Sequence, residues 1–245
     1  MRKLAFITSI IFLLASCSHS GEPETEAIEE EITVTLQEFM SEDSSVLHAF
    51  DVEIAAFRAM DRDSMPPEGA WLFVGSSSFR FWENIAENLA PHPVINRGFG
   101  GSNMVQLVHY MDSIVFPYKP SHIFIYEGDN DIVEESTSPE AVKKAVLYFV
   151  NRVKEEMPGV SIHFVAVKPS PSRKHLLRKA QLTNALLAEE AERIADFYFI
   201  DVATAMMVSD DSIRGDIFIS DNLHMNQEGY DIWSEIILTH MNSFQ

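Results

Sequence analysis

Five short apolar runs recur along the chain from residue 71 onward, and glycine or polar residues follow each of them. The runs lie at Trp71–Val74, Val94–Ile95, Ile123–Tyr126, Ile162–Val167 and Phe197–Val202. They are continuous rather than alternating, and they are rich in β-branched and aromatic residues, which is typical of strands buried on both faces. The pattern therefore predicts five strands of a parallel sheet.

Helical patterns separate these runs. Ser138-Pro139-Glu140 has the composition of a helix start, and apolar residues then recur at helical spacing until Pro158-Gly159. A second apolar stripe runs from Leu176 to Ile194, a third helix is predicted after Asn226, and a fourth near Val52–Met60. Because strands alternate with helices, we expect an α/β fold with right-handed crossovers and helices on both faces of the sheet.

The first residues have the pattern of an export signal. Arg2 and Lys3 precede an apolar run from Leu4 to Leu14 that is too short to span a bilayer, and Leu14-Ala15-Ser16-Cys17 follows. The cysteine at the cut position resembles a bacterial lipoprotein signal. That resemblance implies cleavage before Cys17, lipid on Cys17 and anchoring to the cell envelope. The alternative is an ordinary signal peptide with an incidental cysteine.

Composition divides the rest of the chain into a tether and one domain. Residues 17–45 are polar and acidic without an apolar period, so we predict a flexible tether after a signal of residues 1–16. Residues 46–245 have the length of a single domain. The net charge of −19 makes nucleic acid an improbable partner, and no later segment is apolar enough to cross a membrane. The lipid on Cys17 is the expected membrane contact.

Four polar or glycine-rich motifs follow the predicted strands or precede a predicted helix. They are Gly75-Ser76-Ser77-Ser78, Asn96–Gly101, Gly128-Asp129-Asn130-Asp131 and Asp221-Asn222-Leu223-His224. Taken singly, each is explained as a helix cap, a glycine turn or an Asx turn. Ligands of parallel sheets bind beyond the carboxyl ends of the strands. At that edge the four motifs together supply a nucleophile, oxyanion donors, and a base with its orienting acid.

The serines and the histidine motif carry the proposed chemistry. Of the three serines at 76–78, we expect one to cap the following helix and one to attack, and the residues alone do not choose between them. Asp221 lies three residues before His224, which lets its carboxylate orient one ring nitrogen and leaves the other to accept a proton. Asp201 also ends a predicted strand but lacks this spacing, so we interpret it as a strand-end hydrogen-bonding residue.

The other two motifs supply donors for an oxyanion. The glycines of 96–101 allow close approach of the backbone, with the N–H of Gly101 as a donor, and Asn130 offers a side-chain amide. The glycine spacing matches a dinucleotide loop only in part and has no accompanying ribose-binding acid, so no organic cofactor is expected. Lys168 and Arg173 are interpreted as solvated residues at a helix entry, with substrate contact as the alternative.

These four blocks, in this order, resemble the SGNH, or GDSL-like, hydrolase family over roughly residues 46–245. The resemblance makes Ser77 the nucleophile, His224 the base and Asp221 its orienting acid. It assigns the oxyanion hole to the backbone N–H of Ser77 and Gly101 and the amide of Asn130. It implies a flavodoxin-like three-layer α/β/α sandwich with a five-stranded parallel sheet, ester hydrolysis through an acyl-enzyme, and no metal or organic cofactor.

The chain departs from the family pattern at one position. The family usually has Gly-Asp-Ser in the first block, whereas Ser76 stands here in place of the acid. The string at 75–82 is similar to platelet-activating-factor acetylhydrolase-like esterases. The expected substrate is a short-chain or acetyl ester, such as an acetylated glycan, with lysophospholipids and small acyl esters as alternatives. Two other functions fit the same site: a non-catalytic glycan-binding surface lipoprotein and an acyltransferase.

Overall fold

The computed structural model describes residues 44–244, in which five parallel strands form one sheet. The strands are β1 (Trp71–Gly75), β2 (Val94–Gly98), β3 (His122–Tyr126), β4 (Ser161–Val165) and β5 (Phe197–Ile200). Their spatial order is β2-β1-β3-β4-β5, and every neighbouring pair is parallel. The predicted five-stranded parallel sheet is confirmed.

Helices and one small hairpin complete the described part of the chain. The α-helices are α1 (Ser44–Leu47), α2 (Asp51–Asp63), α3 (Ser77–Arg80), α4 (Ile85–Asn88), α5 (Met104–His109), α6 (Met111–Ile114), α7 (Pro139–Glu156), α8 (Leu177–Ala191) and α9 (Gln227–Asn242). Single 3-10 turns lie at His48–Phe50, Phe116–Tyr118, Asp131–Val133, Pro171–Leu176 and Thr204–Met206. Two short strands, β6 (Met207–Ser209) and β7 (Ser212–Ile213), form an antiparallel pair that the sequence did not predict.

A hydrophobic core lies on each face of the sheet, which makes the fold a three-layer sandwich. Leu72 and Val74 of β1 belong to one core, with Phe149 of α7. Phe73 of the same strand belongs to the other, with Trp233 of α9. Since successive strand residues point to opposite faces, both sets must be apolar, and this explains why the strands read as continuous apolar runs.

Two of the predicted helix starts have side-chain caps. The hydroxyl of Ser138 accepts a hydrogen bond of 3.1 Å from the N–H of Ala141, and Pro139 opens α7. The side chain of Asn226 accepts a bond of 3.1 Å from the N–H of Gly229 and caps α9. These caps fix where two long helices begin, on opposite faces of the sheet.

Strand β2 is longer than predicted because its polar residues have partners. The apolar run ends at Ile95, but the strand continues to Gly98. The buried guanidinium of Arg97 lies 2.5 Å from the carboxylate of Asp61 and donates a bond of 2.6 Å to the hydroxyl of Tyr118. A buried charge is tolerated when it is paired in this way, and hydropathy alone does not detect such a pair.

Strand β4 is shorter than predicted. It ends at Val165, and the backbone of Val167 pairs instead with the side chain of Asn184 in α8, at 2.8 Å and 2.9 Å. The amide therefore replaces a neighbouring strand at this point. Strand β5 likewise ends at Ile200 rather than Val202, because the carboxylate of Asp201 accepts two bonds from Thr204 and turns the chain.

The register of the sheet places the candidate motifs side by side. Gly75, the last residue of β1, is level with Gly98 of β2 and with Tyr126 of β3. The loops that follow these three strands therefore leave the sheet at the same edge. The described residues begin at Ser44, two residues before the predicted domain boundary, so the predicted signal and Cys17 lie outside them. Between residues 44 and 244, none of the helices has the length and hydropathy needed to cross a bilayer.

Candidate active site

A tight turn after β1 presents Ser77 at the first position of α3. Gly75 has a φ of +130°, and a Cβ at this position would lie 2.1 Å from the carbonyl oxygen of Tyr126. Only glycine fits such a backbone conformation and such a close approach. The next residue, Ser76, donates its N–H to the same carbonyl at 3.0 Å, so the chain is held against β3 just before the serine.

The structure places His224 within hydrogen-bonding distance of both Ser77 and Asp221. His224 Nε2 lies 3.0 Å from the Oγ of Ser77, although the two residues are 147 positions apart. The other ring nitrogen, Nδ1, lies 2.6 Å from Oδ2 of Asp221. Such an arrangement allows the ring to accept a proton from the serine while the carboxylate holds the opposite side.

The motif at 221–224 is shaped by its own hydrogen bonds. Oδ1 of Asp221 accepts the backbone N–H of Leu223 and that of His224, both at 2.9 Å. Asn222 adopts a left-handed conformation with a φ of 56°, which lets the chain turn within these four residues. The acid and the histidine are thus fixed relative to one another by a local loop.

The pKa of Asp221 keeps its side chain ionised. Burial acts to raise this pKa, but the hydrogen bonds from the His224 ring and from the backbone N–H of Leu223 and His224 outweigh it and lower the pKa to about 2. A carboxylate at Nδ1 favours the tautomer with the proton on that nitrogen. Nε2 is then left as the acceptor that faces Ser77.

The three serines at 76–78 have different environments. Oγ of Ser76 accepts a bond of 2.8 Å from Nδ2 of Asn130. Ser76 occupies the position before α3, but its side chain makes no capping hydrogen bond, so the expectation that one of these serines caps the helix is wrong for its hydroxyl. Ser78 is buried, and its carbonyl accepts the hydroxyl of Tyr230 at 2.9 Å. Of the three hydroxyls, that of Ser77 is the one in contact with His224.

The predicted oxyanion donors are neighbours in the structure. A Cβ built on Gly101 would lie 3.8 Å from Nδ2 of Asn130, so the second and third motifs meet at this point. The amide nitrogen of Asn130 donates to the carbonyl of Ser102 at 2.8 Å, in addition to its bond with Ser76. Both hydrogens of the amide are therefore directed toward the loops after β1 and β2.

The opposite side of the Asn130 amide contacts a charged cluster that sequence analysis missed. Nη2 of Arg173 donates to Oδ1 of Asn130 at 2.7 Å, and Nη1 donates to the carbonyl of Asp129 at 2.6 Å. Nζ of Lys168, whose side chain is 1% exposed, lies 2.8 Å from Oδ2 of Asp129. The interpretation of Lys168 and Arg173 as solvated residues at a helix entry is therefore wrong, since both have protein partners.

The pKa values of Glu127 and Asp129, two buried acids close in sequence to Asn130, are shifted in opposite directions. Burial raises the pKa of Glu127 well above its ordinary value, and one of its oxygens accepts the hydroxyl of Ser102 at 2.6 Å. Burial acts in the same direction on Asp129, but Lys168 and Arg173 outweigh it and lower the pKa of that carboxyl. Asp129 therefore carries a charge balanced by two cations.

Asp131 ties the same loop to the helix that follows β2. Its oxygens accept the N–H of Met104 and that of Gly128, each at 3.0 Å. Burial nevertheless raises the pKa of Asp131 to about 6. The polar loop after β3 is therefore held by its own acid as well as by the cluster around Asp129.

An apolar side chain borders the candidate site. Phe81 is 46% exposed, and its ring meets the ring of His224 edge-on, with centroids 4.9 Å apart. An ester that reaches Ser77 would therefore meet apolar surface beside the polar groups.

The glycine-rich loop and Asp201 have structural explanations. At Gly98 and Gly100, an added Cβ would lie 2.5 Å from the N–H nitrogen of Arg80 and 1.8 Å from the ring of Phe50, so close packing requires both glycines. Asp201 is bonded to Thr204, as predicted for a strand-end residue. Within residues 44–244, no three histidine, cysteine or acidic side chains are arranged to hold a metal ion.

Comparisons with known proteins identify the family of this chain. A family model described as the GDSL-like lipase/acylhydrolase family matches residues 67–232, which include Ser77, Gly101, Asn130, Asp221 and His224. No curated protein of similar sequence was found.

Three solved structures are similar to this chain. A GDSL-like lipase from Bacteroides thetaiotaomicron is 18% identical, with a TM-score of 0.66 over 78% of this chain and 98% of that one. A protein from Bacteroides fragilis assigned as an acylhydrolase is 21% identical, with a TM-score of 0.66 over 76% and 94% of the two chains. A catalytic mutant of an acetylxylan esterase from Geobacillus stearothermophilus is 14% identical, with a TM-score of 0.57 over 71% and 94%. At these identities the likeness shows the shared fold.

Proposed function

The chain belongs to the GDSL-like lipase/acylhydrolase family, and we propose that it is a serine esterase with Ser77 as its nucleophile. The proposal rests on two contacts of the His224 ring. Nε2 lies 3.0 Å from Oγ of Ser77, and Nδ1 lies 2.6 Å from Oδ2 of Asp221. A nucleophile, a base and an orienting acid at hydrogen-bonding distance are what acyl transfer requires.

In the acylation step, Oγ of Ser77 attacks the carbonyl carbon of the ester while Nε2 of His224 takes the serine proton. Asp221 remains ionised and stabilises the imidazolium through Nδ1. When the tetrahedral intermediate collapses, the C–O bond of the ester breaks and the imidazolium gives its proton to the departing alkoxide. The products of this step are an alcohol and an acyl group bound to Ser77.

The developing negative charge needs donors on the opposite side of the carbonyl. We assign this role to the backbone N–H of Ser77 and Gly101 and to Nδ2 of Asn130, which lies next to Gly101. The amide of Asn130 is oriented before the reaction, and the oxyanion competes with Oγ of Ser76 for one of its N–H groups. Removing one such donor in a hydrolase costs about 100- to 1,000-fold in kcat.

Deacylation repeats the same steps with water. His224 takes a proton from a water molecule, the resulting hydroxide attacks the acyl carbon, and Ser77 leaves as its proton returns from the ring. A sugar hydroxyl in place of that water would make the protein an acyltransferase. We propose water as the acceptor, and analysis of the products with an added glycan acceptor distinguishes the two reactions.

For the substrate, we propose a short-chain or acetyl ester carried on a glycan. The exposed ring of Phe81 beside His224 suits a flat or apolar leaving group, and one solved relative of the same fold is an acetylxylan esterase. The string at 75–82 supports membership of the platelet-activating-factor acetylhydrolase-like subgroup. The predicted signal at residues 1–16, followed by Cys17, supports a lipid-anchored protein of the bacterial cell envelope.

The test is hydrolysis of p-nitrophenyl acetate by the full-length protein in detergent. We expect turnover by the wild type, loss of it in Ser77→Ala, and retention of it in Ser78→Ala, the matched control from the same loop. A fluorophosphonate probe should label the wild type and Ser78→Ala but not Ser77→Ala. Activity that survives Ser77→Ala, or a wild type that neither turns over acetyl esters nor takes up the probe, would refute the proposal.

A further inference from the structure

Arg173 makes contacts that join two loops of the site. Its Nη2 donates to the amide oxygen of Asn130 at 2.7 Å, and its Nη1 donates to the carbonyl of Asp129 at 2.6 Å. Nη1 also lies 3.1 Å from the carboxylate of Asp129, which is itself paired with Lys168. The guanidinium is therefore held by two consecutive residues of the loop after β3.

The residue next to Arg173 reaches the other half of the site. The N–H of Ser172 donates to the carbonyl of Asn222 at 3.0 Å, and Asn222 lies between Asp221 and His224. The segment that contains Arg173 thus touches both the loop of the oxyanion amide and the loop of the acid and base. The side chain of Arg173 is 19% exposed, which is low for an arginine in a surface turn.

We propose that Arg173 is a positioning residue that orients and polarises the Asn130 amide for stabilisation of the oxyanion. This inference rests on the proposed esterase function. The guanidinium has only donors, so it bonds the amide oxygen and excludes the flipped amide, in which the NH₂ group would face it. The carbonyl of Ser102 selects the same orientation from the other side, because it can only accept.

The charge of Arg173 adds to this geometric effect. A cation at the amide oxygen draws electron density toward that oxygen, which makes the N–H groups on the other side stronger donors. In the proposed mechanism the developing oxyanion accepts from an N–H of this amide, so the favourable effect grows as negative charge forms. The effect should therefore appear in kcat rather than in KM.

A purely structural role for Arg173 would appear as a loss of fold stability in its variants, and not as a specific loss of kcat. Asp129 keeps Lys168 as its partner when Arg173 is removed, so the buried carboxylate is not left unpaired and the fold should persist. A direct substrate contact would raise KM for charged substrates and leave kcat for a neutral ester unchanged. A neutral substrate such as p-nitrophenyl acetate separates these possibilities from positioning.

The test is a double-mutant cycle in the full-length protein with p-nitrophenyl acetate. We expect Arg173→Met to lower kcat about 10- to 100-fold, less than complete loss of a donor, and to change KM less than about twofold. In an Asn130→Ala background, the same substitution should change kcat less than about twofold, because Arg173 acts through that amide. Arg173→Lys keeps the charge but not the bidentate geometry, so its kcat should lie between that of the wild type and that of Arg173→Met.

Arg178→Met is the matched control, since it removes an equal charge from an exposed arginine on α8. It should leave kcat at the wild-type value. A second readout is chemical rescue, in which added guanidinium ion should restore kcat of Arg173→Ala several-fold and leave Arg178→Ala unchanged. Thermal unfolding of each variant establishes that the fold is intact.

The outcomes separate this inference from the proposed function. Turnover that depends on Ser77 but is unchanged in Arg173→Met would overturn the positioning role alone. A full additional loss in the Asn130→Ala background would also overturn it, because the two residues would then act independently. A wild type without any Ser77-dependent turnover would instead refute the esterase itself, whatever the behaviour of Arg173.

Discussion

The hydroxyl oxygen of Ser76 accepts a hydrogen bond of 2.8 Å from Nδ2 of Asn130. Ser76 is the residue that replaces the usual aspartate of the family's first block, and it is fully buried. The replacement therefore keeps an acceptor beside the candidate oxyanion amide while it removes a charge from that place. A neutral acceptor competes less strongly with a developing oxyanion for the same N–H than a carboxylate would.

The first prediction concerns the two partners of this bond. Ser76→Ala should change kcat by less than about threefold, since the Asn130 amide keeps Ser102 and Arg173, and should cost about 1 kcal/mol of unfolding free energy for the lost acceptor. Asn130→Ala should lower kcat about 100- to 1,000-fold. Steady-state kinetics and denaturant unfolding measure both effects. Equal losses in the two variants would show that Ser76 does more than accept this bond.

The second prediction concerns the acid. Asp221→Asn should lower kcat by about 10,000-fold, because the amide no longer holds the required tautomer of His224. The pKa of Asp221 is about 2, so this carboxylate stays ionised and should add no acid limb to the pH–rate profile above about pH 4. Asp201→Asn is the control, since that carboxylate is bonded to Thr204. Loss of activity in the control and not in Asp221→Asn would reverse the assignment.

The third prediction concerns Phe81, whose ring packs edge-on against His224. In the proposed mechanism His224 delivers the proton to the leaving group, so a ring beside it should contact the leaving-group side of the ester. We expect Phe81→Ala to raise KM about threefold to tenfold for aryl and glycan esters, through lost apolar contact, and to leave the acyl-length preference unchanged. Val208→Ala, in the exposed hairpin β6–β7, serves as control. A shift in acyl-length preference would place Phe81 on the acyl side.

The fold could be predicted from sequence to the extent that apolar pattern determines it. Strands β1 and β3 are buried on both faces, and their ends were predicted to within a residue. The predicted strand β2 was too short because Asn96 and Arg97 are polar, and the pairing of Arg97 with Asp61 joins residues 36 positions apart. Such long-range pairs leave no periodic signal in the sequence.

The candidate site was predictable where its parts are local or resemble a family motif. Asp221 and His224 lie three residues apart in one turn, and their contact follows from that spacing. The contact of Arg173 with Asn130 spans 43 positions and was missed. Lys168 was misinterpreted as solvated because lysine is seldom buried without a partner, and its partner Asp129 is 39 positions away.

The last prediction concerns a hydrogen-bonded chain of three histidines, one each from β3, β4 and α9. Nε2 of His163 lies 3.0 Å from Nδ1 of His122, and its Nδ1 lies 2.8 Å from Nε2 of His240. Burial lowers the pKa of His163 to about 2 and that of His122 to about 4, and the neighbouring histidines add to both shifts. Burial also lowers the pKa of His240. The ring of Tyr198 stacks on His163.

These shifts set the sign of a pH effect on stability. In the unfolded chain the histidines bind protons as the pH falls below about 6.5, whereas in the folded state they stay neutral to lower pH. Their contribution to stability is therefore complete above pH 6.5 and is lost as the pH falls toward 4. For each histidine that stays neutral in the folded state, the free energy of unfolding falls by up to about 1.4 kcal/mol per pH unit in this window. The contributions of His122 and His240 are smaller because these side chains are only partly buried.

We expect the unfolding free energy to fall by about 2–4 kcal/mol between pH 7 and pH 5, and the Tm by about 5–15 °C. Titration of carboxylates in this acidic chain adds its own slope, so the decisive quantity is the difference between variants. His163→Phe keeps an aromatic ring between Phe124 and Tyr198. It should reduce the number of protons taken up on unfolding by about one, and with it the slope of unfolding free energy against pH. The exposed His175→Phe should leave the slope unchanged. Equal slopes in the wild type and His163→Phe would mean that the chain of histidines does not govern acid stability.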